Sequence, residues 1–261
     1  PDSTDSDGTI ADMGAYPFLN SYSGPTWYVS ATAGNDTTAT GASDAPFRTI
    51  QAGINFATTD GDVVSVASGN YYENINFRGR SITVSGSEGS IIDGGGNGYV
   101  VSFPDGSEST TPTLTGFTIQ NGYGNNGGGI YCGDRTSPLL TNLIITGNTG
   151  LFGAGIWCTY SSPILTNVSL INNTSTNSGG AGIYCNKSTN LTIINSILWD
   201  NTQRQIAFYE YNDSNSVSIH YSNISGGQDS IITNNNGTVT WGSGNIDVDP
   251  MFVDTANGDY H

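Results

Sequence analysis

One six-residue phrase occurs three times in this chain. It reads Gly-Gly-Gly-Ile-Tyr-Cys at 127–132, Gly-Ala-Gly-Ile-Trp-Cys at 153–158 and Gly-Ala-Gly-Ile-Tyr-Cys at 180–185, so the cysteines stand 26 and 27 residues apart. A second phrase travels with it: Pro112-Thr-Leu-Thr-Gly, Pro138-Leu-Leu-Thr-Asn and Pro163-Ile-Leu-Thr-Asn. A repeat of this length, with several short strand-like runs and no helical pattern, is too long for a hexapeptide coil and lacks the Leu/Asn pattern of a leucine-rich repeat. It fits one turn of a right-handed parallel β-helix. We therefore expect an all-β fold of about seven turns, in which each repeat buries its apolar face on the next.

Side chains alternate across a strand. Ile130 and Cys132 share one face, as do Ile156 and Cys158, and Ile183 and Cys185. The glycine-flanked branched residues belong inside, so the three cysteines should form one interior column of reduced thiols. In-register neighbours on parallel strands have poor disulfide geometry. The same alternation sends Tyr131, Trp157 and Tyr184 outward as an aromatic ladder, bounded by Ser102 before it and Ala207 after it. Asn142, Asn167 and Asn195 recur at another fixed position and should stack their amides at a turn that tolerates left-handed backbone.

One stretch breaks the strand pattern. Phe47, Ile50, Ile54 and Ala57 lie at helical spacing, which predicts a helix near 47–58 covering the open N-terminal end of the stack. Residues 1–26 read as an acidic segment and linker, and residues 27–261 as the coil.

Lys and Arg total 6 against 22 acidic residues, a formal charge of −16. That balance excludes nucleic acid and anionic membrane surfaces as partners. It favours divalent cations and neutral or cationic ligands. No apolar run approaches the roughly 18–20 residues of a membrane span, so no membrane insertion is expected.

Several stretches are similar to a known family. Trp27-Tyr-Val-Ser, Pro46-Phe-Arg-Thr-Ile-Gln-Ala-Gly-Ile and Gly61-Asp-Val-Val-Ser-Val-Ala-Ser-Gly-Asn-Tyr-Tyr-Glu-Asn-Ile resemble the opening of bacterial secreted, pectate-lyase-like β-helix proteins. Leu114-Thr-Gly-Phe-Thr-Ile-Gln-Asn-Gly resembles their middle coils. Asn195-Ser-Ile-Leu-Trp-Asp-Asn and Gly244-Asn-Ile-Asp-Val-Asp-Pro-Met-Phe-Val-Asp resemble their final ones. The resemblance covers nearly all of 27–261. It implies an extracellular or cell-surface location and a right-handed parallel β-helix, and little about activity. In that family a segment like Gly8-Thr-Ile-Ala-Asp-Met-Gly-Ala-Tyr closes the C-terminal end of a coil. Here it comes first. Either the chain is one unit of a tandem array, or residues 1–18 cap a neighbouring copy, giving end-to-end assembly.

Three chemistries are on offer. Asp2, Asp5, Asp7 and Gly8 form D-x-x-D-x-D-G, and Asp247 and Asp249 form a second acidic pair. Closely spaced carboxylates in a Gly-containing loop suit Ca2+; the plainer reading is solvated loop carboxylates. Tyr131, Trp157 and Tyr184 could stack on sugar rings, with Asp134, Arg135 and Lys187 supplying polar contacts; the alternative is packing against long turns or a neighbouring subunit. The resemblance also raises a polysaccharide lyase, which needs a Lys or Arg base and calcium on grouped carboxylates. Arg135 and Lys187 are the only bases in the central coils, and the grouped carboxylates are missing. A glycosidase needs two facing carboxylates, and no such column appears. No catalytic residue is assigned. The sequence favours a non-catalytic extracellular structural or adhesive module, calcium-stabilised and assembling with its own copies. The alternative is a carbohydrate-binding or polysaccharide-degrading β-helix.

Overall fold

The computed structural model describes residues 22–104, 110–177, 180–209 and 214–254. Its strands stack in parallel into one β-helix of about six turns, close to the seven expected. The largest sheet climbs from Thr26–Val29 through Val63–Val66, Thr83–Asp93, Thr113–Gln120, Leu139–Thr146 and Ile164–Ile171 to Gly237–Trp241. A seven-stranded sheet runs beside it, from Ile75–Asn76 through Ile130–Cys132, Ile156–Thr159 and Ile183–Asn186 to Ile231–Ile232. A third, of three strands, joins Tyr123–Gly124, Thr149–Gly150 and Thr174–Ser175.

The core is built from columns of like residues. Leu114, Leu140, Leu165 and Ile193 are in register and fully buried, each adding roughly 1.5–3 kcal/mol by leaving water. Cys132, Cys158 and Cys185 are in register, buried and unpaired, as the alternation predicts. Phe103 stands before them and Phe208 after, so bulky rings flank a run of small thiols. Burial pushes the Cys132 and Cys185 thiols well above their ordinary range, which makes them poor nucleophiles.

Helix α1 (Ile50–Phe56) is shorter than predicted, but Phe47, Ile50, Ile54 and Ala57 are all buried against the first coil. Thr49 caps it by accepting from the Ala52 N–H at 3.2 Å, an N-cap interaction. The Glu73 carboxylate accepts from the Ile50 and Gln51 N–H groups at 2.8 and 3.0 Å. Arg80 donates to the Ala57 carbonyl at 3.1 Å. Tyr22 packs edge-on against Trp27, and Thr26 opens the first strand.

Each long strand bends at one left-handed residue. Gly116, Asn142, Asn167, Asn195 and Tyr221 occupy this corner at φ 81, 52, 56, 48 and 51°. The Asn167 amide donates to Asn142 Oδ1 at 3.1 Å, and the Asn195 amide donates to Asn167 Oδ1 at 2.6 Å. This is the exposed ladder the repeat predicts. A second ladder is buried. Asn173 Nδ2 donates to the Ile145 and Ile171 carbonyls and to Asn201 Oδ1, at 2.9, 3.0 and 2.9 Å. Its Oδ1 accepts from Asn148 N and Nδ2 at 3.2 and 3.0 Å.

Candidate functional site

The aromatic column has the expected register, with Tyr131 beside Trp157, Trp157 beside Tyr184, and Ser102 and Ala207 at its ends. Its expected accessibility needs correction. Trp157 is 7% exposed and Tyr184 4%. Their rings stack at 5.0 Å and 5°, and Phe152 covers both at 6.1 and 5.1 Å. The turn that carries Phe152 folds back because Gly153 (φ 48°) lies where a Cβ would meet the Ile156 carbonyl at 2.4 Å. Tyr131 stacks on Tyr99 at 4.9 Å. Although it points away from the main core, the column packs under its own turns and leaves no open platform on Trp157 or Tyr184 for a sugar ring.

The polar residues expected beside it gather elsewhere. Arg135 and Lys187 occupy left-handed turns at φ 61 and 50°, with Tyr160 (φ 46°) on the coil between them. Arg135 N donates to the Tyr160 carbonyl at 3.0 Å, and Tyr160 N to the Lys187 carbonyl at 2.8 Å. Lys187 Nζ lies 5.7 Å from the Tyr160 ring centre. Asp134 lies 4.0 Å from the Arg135 guanidinium, both well exposed.

Asp247 and Asp249 each accept from a backbone N–H: Asp247 Oδ1 from Gly226 at 3.1 Å and Asp249 Oδ1 from Met251 at 2.9 Å. Among the described residues no group of three or more His, Cys, Asp or Glu is placed to hold a metal ion. Asp2, Asp5 and Asp7 lie outside the described residues. His220 ends the strand Asn215–His220 and sits 3.1 Å from Ser218 Oγ.

A different surface is more promising. On the far side of the asparagine corner, Ile91, Thr118, Ile144, Ser169, Ile197 and Asn223 form one outward column in unbroken register. Five strand steps make it about 24 Å long. Two cavities open on it. One, of about 430 Å³, is walled by Glu88 and Gly89 and reaches Asn142 and Ile144. The other, of about 590 Å³, begins on the next coil at Asn167 and Ser169 and is walled by the segment from Gly244 to Pro250. Both are within the usual size of ligand sites. Tyr221, 62% exposed, stands at the second cavity, where an asparagine would continue the ladder. Gly244 makes room for its ring: a Cβ there would meet Tyr221 Cδ1 at 2.3 Å. The sequence reading singled out the asparagines but missed Tyr221, whose signal was an aromatic residue at the ladder position.

The family model describing a right handed beta helix region matches residues 103–247, more than half of the chain. The chain belongs to the right-handed β-helix family. Among solved structures, this β-helix protein is similar to that titled pectate lyase Pel9A, at 14% identity and a TM-score of 0.45, covering 88% of this chain and 84% of that one. No curated protein matches it. Among the described residues no helix is long and apolar enough to cross a membrane.

Proposed function

We propose that this β-helix is a non-catalytic extracellular module that binds a neutral polysaccharide chain along the strip beside the asparagine corner. The observation that carries the reading is the strip's chemistry. Its wall is a run of side-chain amides, its floor alternates isoleucine with hydroxyl or amide residues, and an exposed tyrosine stands at one end. Uncharged donors and acceptors suit sugar hydroxyls, and an aromatic face suits a sugar ring. No Lys or Arg lines either cavity, which disfavours acidic chains.

Binding is favoured over cleavage by distance. The carboxylates lining the two cavities are Glu88 and Asp249, at opposite ends. A glycosidase pair stands about 5–9.5 Å apart; these are separated by most of the strip. The test is calorimetry against a panel of neutral polysaccharides. Tyr221→Ala should weaken the bound one about tenfold, or 1.4 kcal/mol, and Asn195→Ala should weaken it less. Wild-type protein that binds none of the panel, or variants that bind as wild type, would sink the proposal.

The two ends of the coil support end-to-end assembly as a second reading. Helix α1 closes one end, whereas the last strand, Gly237–Trp241, is half-exposed and is followed by Met251 and Val253, 78% and 72% exposed. Among the described residues no strand pairs with the outer edge of Gly237–Trp241, and such an edge invites pairing. Sedimentation of the full chain should then show association that Met251→Lys with Val253→Lys reverses; a monomer at every concentration would end this reading. Calcium remains a proposal through Asp2, Asp5, Asp7, Asp247 and Asp249, tested by whether calcium raises the melting temperature.

A further inference from the structure

The opposite side of the asparagine corner carries a second face. Its outward residues form two columns. One runs through Thr83, Thr113, Leu139, Ile164, Thr192 and Ser218. The other runs through Ser85, Thr115, Thr141, Thr166, Ile194 and His220. All but Leu139, Ile164, Ile194 and His220 bear hydroxyls. We propose that this face binds an ordered water lattice, so that the protein adheres to ice.

Regularity is the first argument. Neighbouring positions in a column are about 4.8 Å apart, and the two columns are about 6.7 Å apart along the strand. The register holds without slip through these columns, so the spacing repeats over six coils. Threonine is stiff at χ1 because it is branched at Cβ. Each hydroxyl and methyl is therefore held in nearly the same place from coil to coil. Leu139 and Ile164, each 37% exposed, continue the methyl rows where the hydroxyl is missing.

Charge is the second argument. The protein carries 22 acidic and 6 basic residues, yet neither column contains an Asp, Glu, Lys or Arg. A face that only had to stay soluble would carry them. A charged partner has nothing to pair with here. Nor do the columns hold a Phe, Tyr or Trp to stack on a sugar ring. A neutral, repeating array of hydroxyls and methyls with neither feature fits water held in a lattice better than it fits a glycan or a protein.

The experiment is slow freezing of the full chain onto an ice-coated surface, together with thermal hysteresis measured on single ice crystals. The wild type should concentrate in the ice and show hysteresis that rises with protein concentration. Thr141→Lys and Thr166→Lys should lose both. Thr141→Val, which keeps the shape and removes only the hydroxyl, should lose part of the effect and guards against misfolding in the lysine variants. Tyr72→Ala, exposed and outside both columns, should leave it unchanged, and glycan binding is read separately by calorimetry, so failure here is distinct from failure of that reading. Wild-type protein that behaves like buffer overturns the proposal. So does full activity in both lysine variants, or loss in Tyr72→Ala.

Discussion

The β-helix contains two asparagine ladders with the same spacing and different fates. Asn142, Asn167 and Asn195 stack at an exposed corner, where each holds a left-handed backbone. Asn148, Asn173 and Asn201 stack inside, where each follows a left-handed residue and satisfies carbonyls that no water reaches. In the first ladder the backbone conformation selects asparagine, and the amide bonds add little because water competes for them. In the second the hydrogen bonds select asparagine, because an unpaired buried polar group costs about 1–3 kcal/mol. The same residue type is thus a conformational device in one place and a polar core in the other.

The comparison breaks most visibly at Asn173. Removing its amide takes a bond from the Ile145 and Ile171 carbonyls and from the Asn148 N–H, and costs the Asn148 and Asn201 amides one partner each. Asn173→Ala should cost about 3 kcal/mol or more, read as a lower urea midpoint at unchanged slope. A loss no larger than that of an exposed ladder residue would place the ladder's value elsewhere.

Asp93 sharpens the contrast between amide and carboxylate. It accepts from Gly95 N at 2.9 Å, Gln120 Nε2 at 3.0 Å and Asn121 Nδ2 at 2.7 Å. Burial alone would raise its pKa, but these bonds to the ionised form outweigh burial and hold the group below its ordinary range. Because its folded pKa lies below its unfolded one, its contribution is present above about pH 4 and fades as pH falls through the folded value. Asp93→Ala should cost about 2 kcal/mol at neutral pH by stranding the amides. Asp93→Asn should flatten the acid limb of a stability-against-pH curve. An unchanged acid limb would mean that Asp93 is not the group titrating there.

At the exposed corner the expected effects are smaller. Asn167→Ala should cost about 1 kcal/mol, since alanine has no side-chain bond to support a left-handed turn. Asn167→Gly should cost almost nothing in stability. Equal losses for the two would show that the amide stack matters more than the backbone.

These differences set what the sequence reveals. The periodic phrases fix the coil, the register of the cysteines and the bounds of the aromatic column, because alternation along a strand is local. They also reveal the exposed ladder, since Leu-Thr-Asn recurs at 140–142 and 165–167 and Ile-Ile-Asn stands at the same place at 193–195. The buried ladder has equal periodicity, but Gly147-Asn148 and Asn172-Asn173 look like any polar turn. Their burial depends on how the following turn folds. The covering of Trp157 and Tyr184 is hidden for the same reason: it depends on where Phe152 lands, 5 residues upstream of Trp157.

The turn carrying Arg135, Tyr160 and Lys187 gives the finest test, because it meets the same backbone demand without asparagine or glycine. A left-handed residue other than these costs roughly 1–2 kcal/mol. An exposed Lys over a tyrosine ring returns only about 0.5–1 kcal/mol. The backbone term is therefore the larger, and Lys187→Asn should stabilise the protein by about 0.5 kcal/mol despite losing the contact at 5.7 Å. A double-mutant cycle with Tyr160→Ala separates the two terms. If Lys187→Asn instead destabilises in wild-type background and not beside Tyr160→Ala, the cation over the ring outweighs the backbone. In that outcome, left-handed geometry alone does not decide the residue choice at either corner.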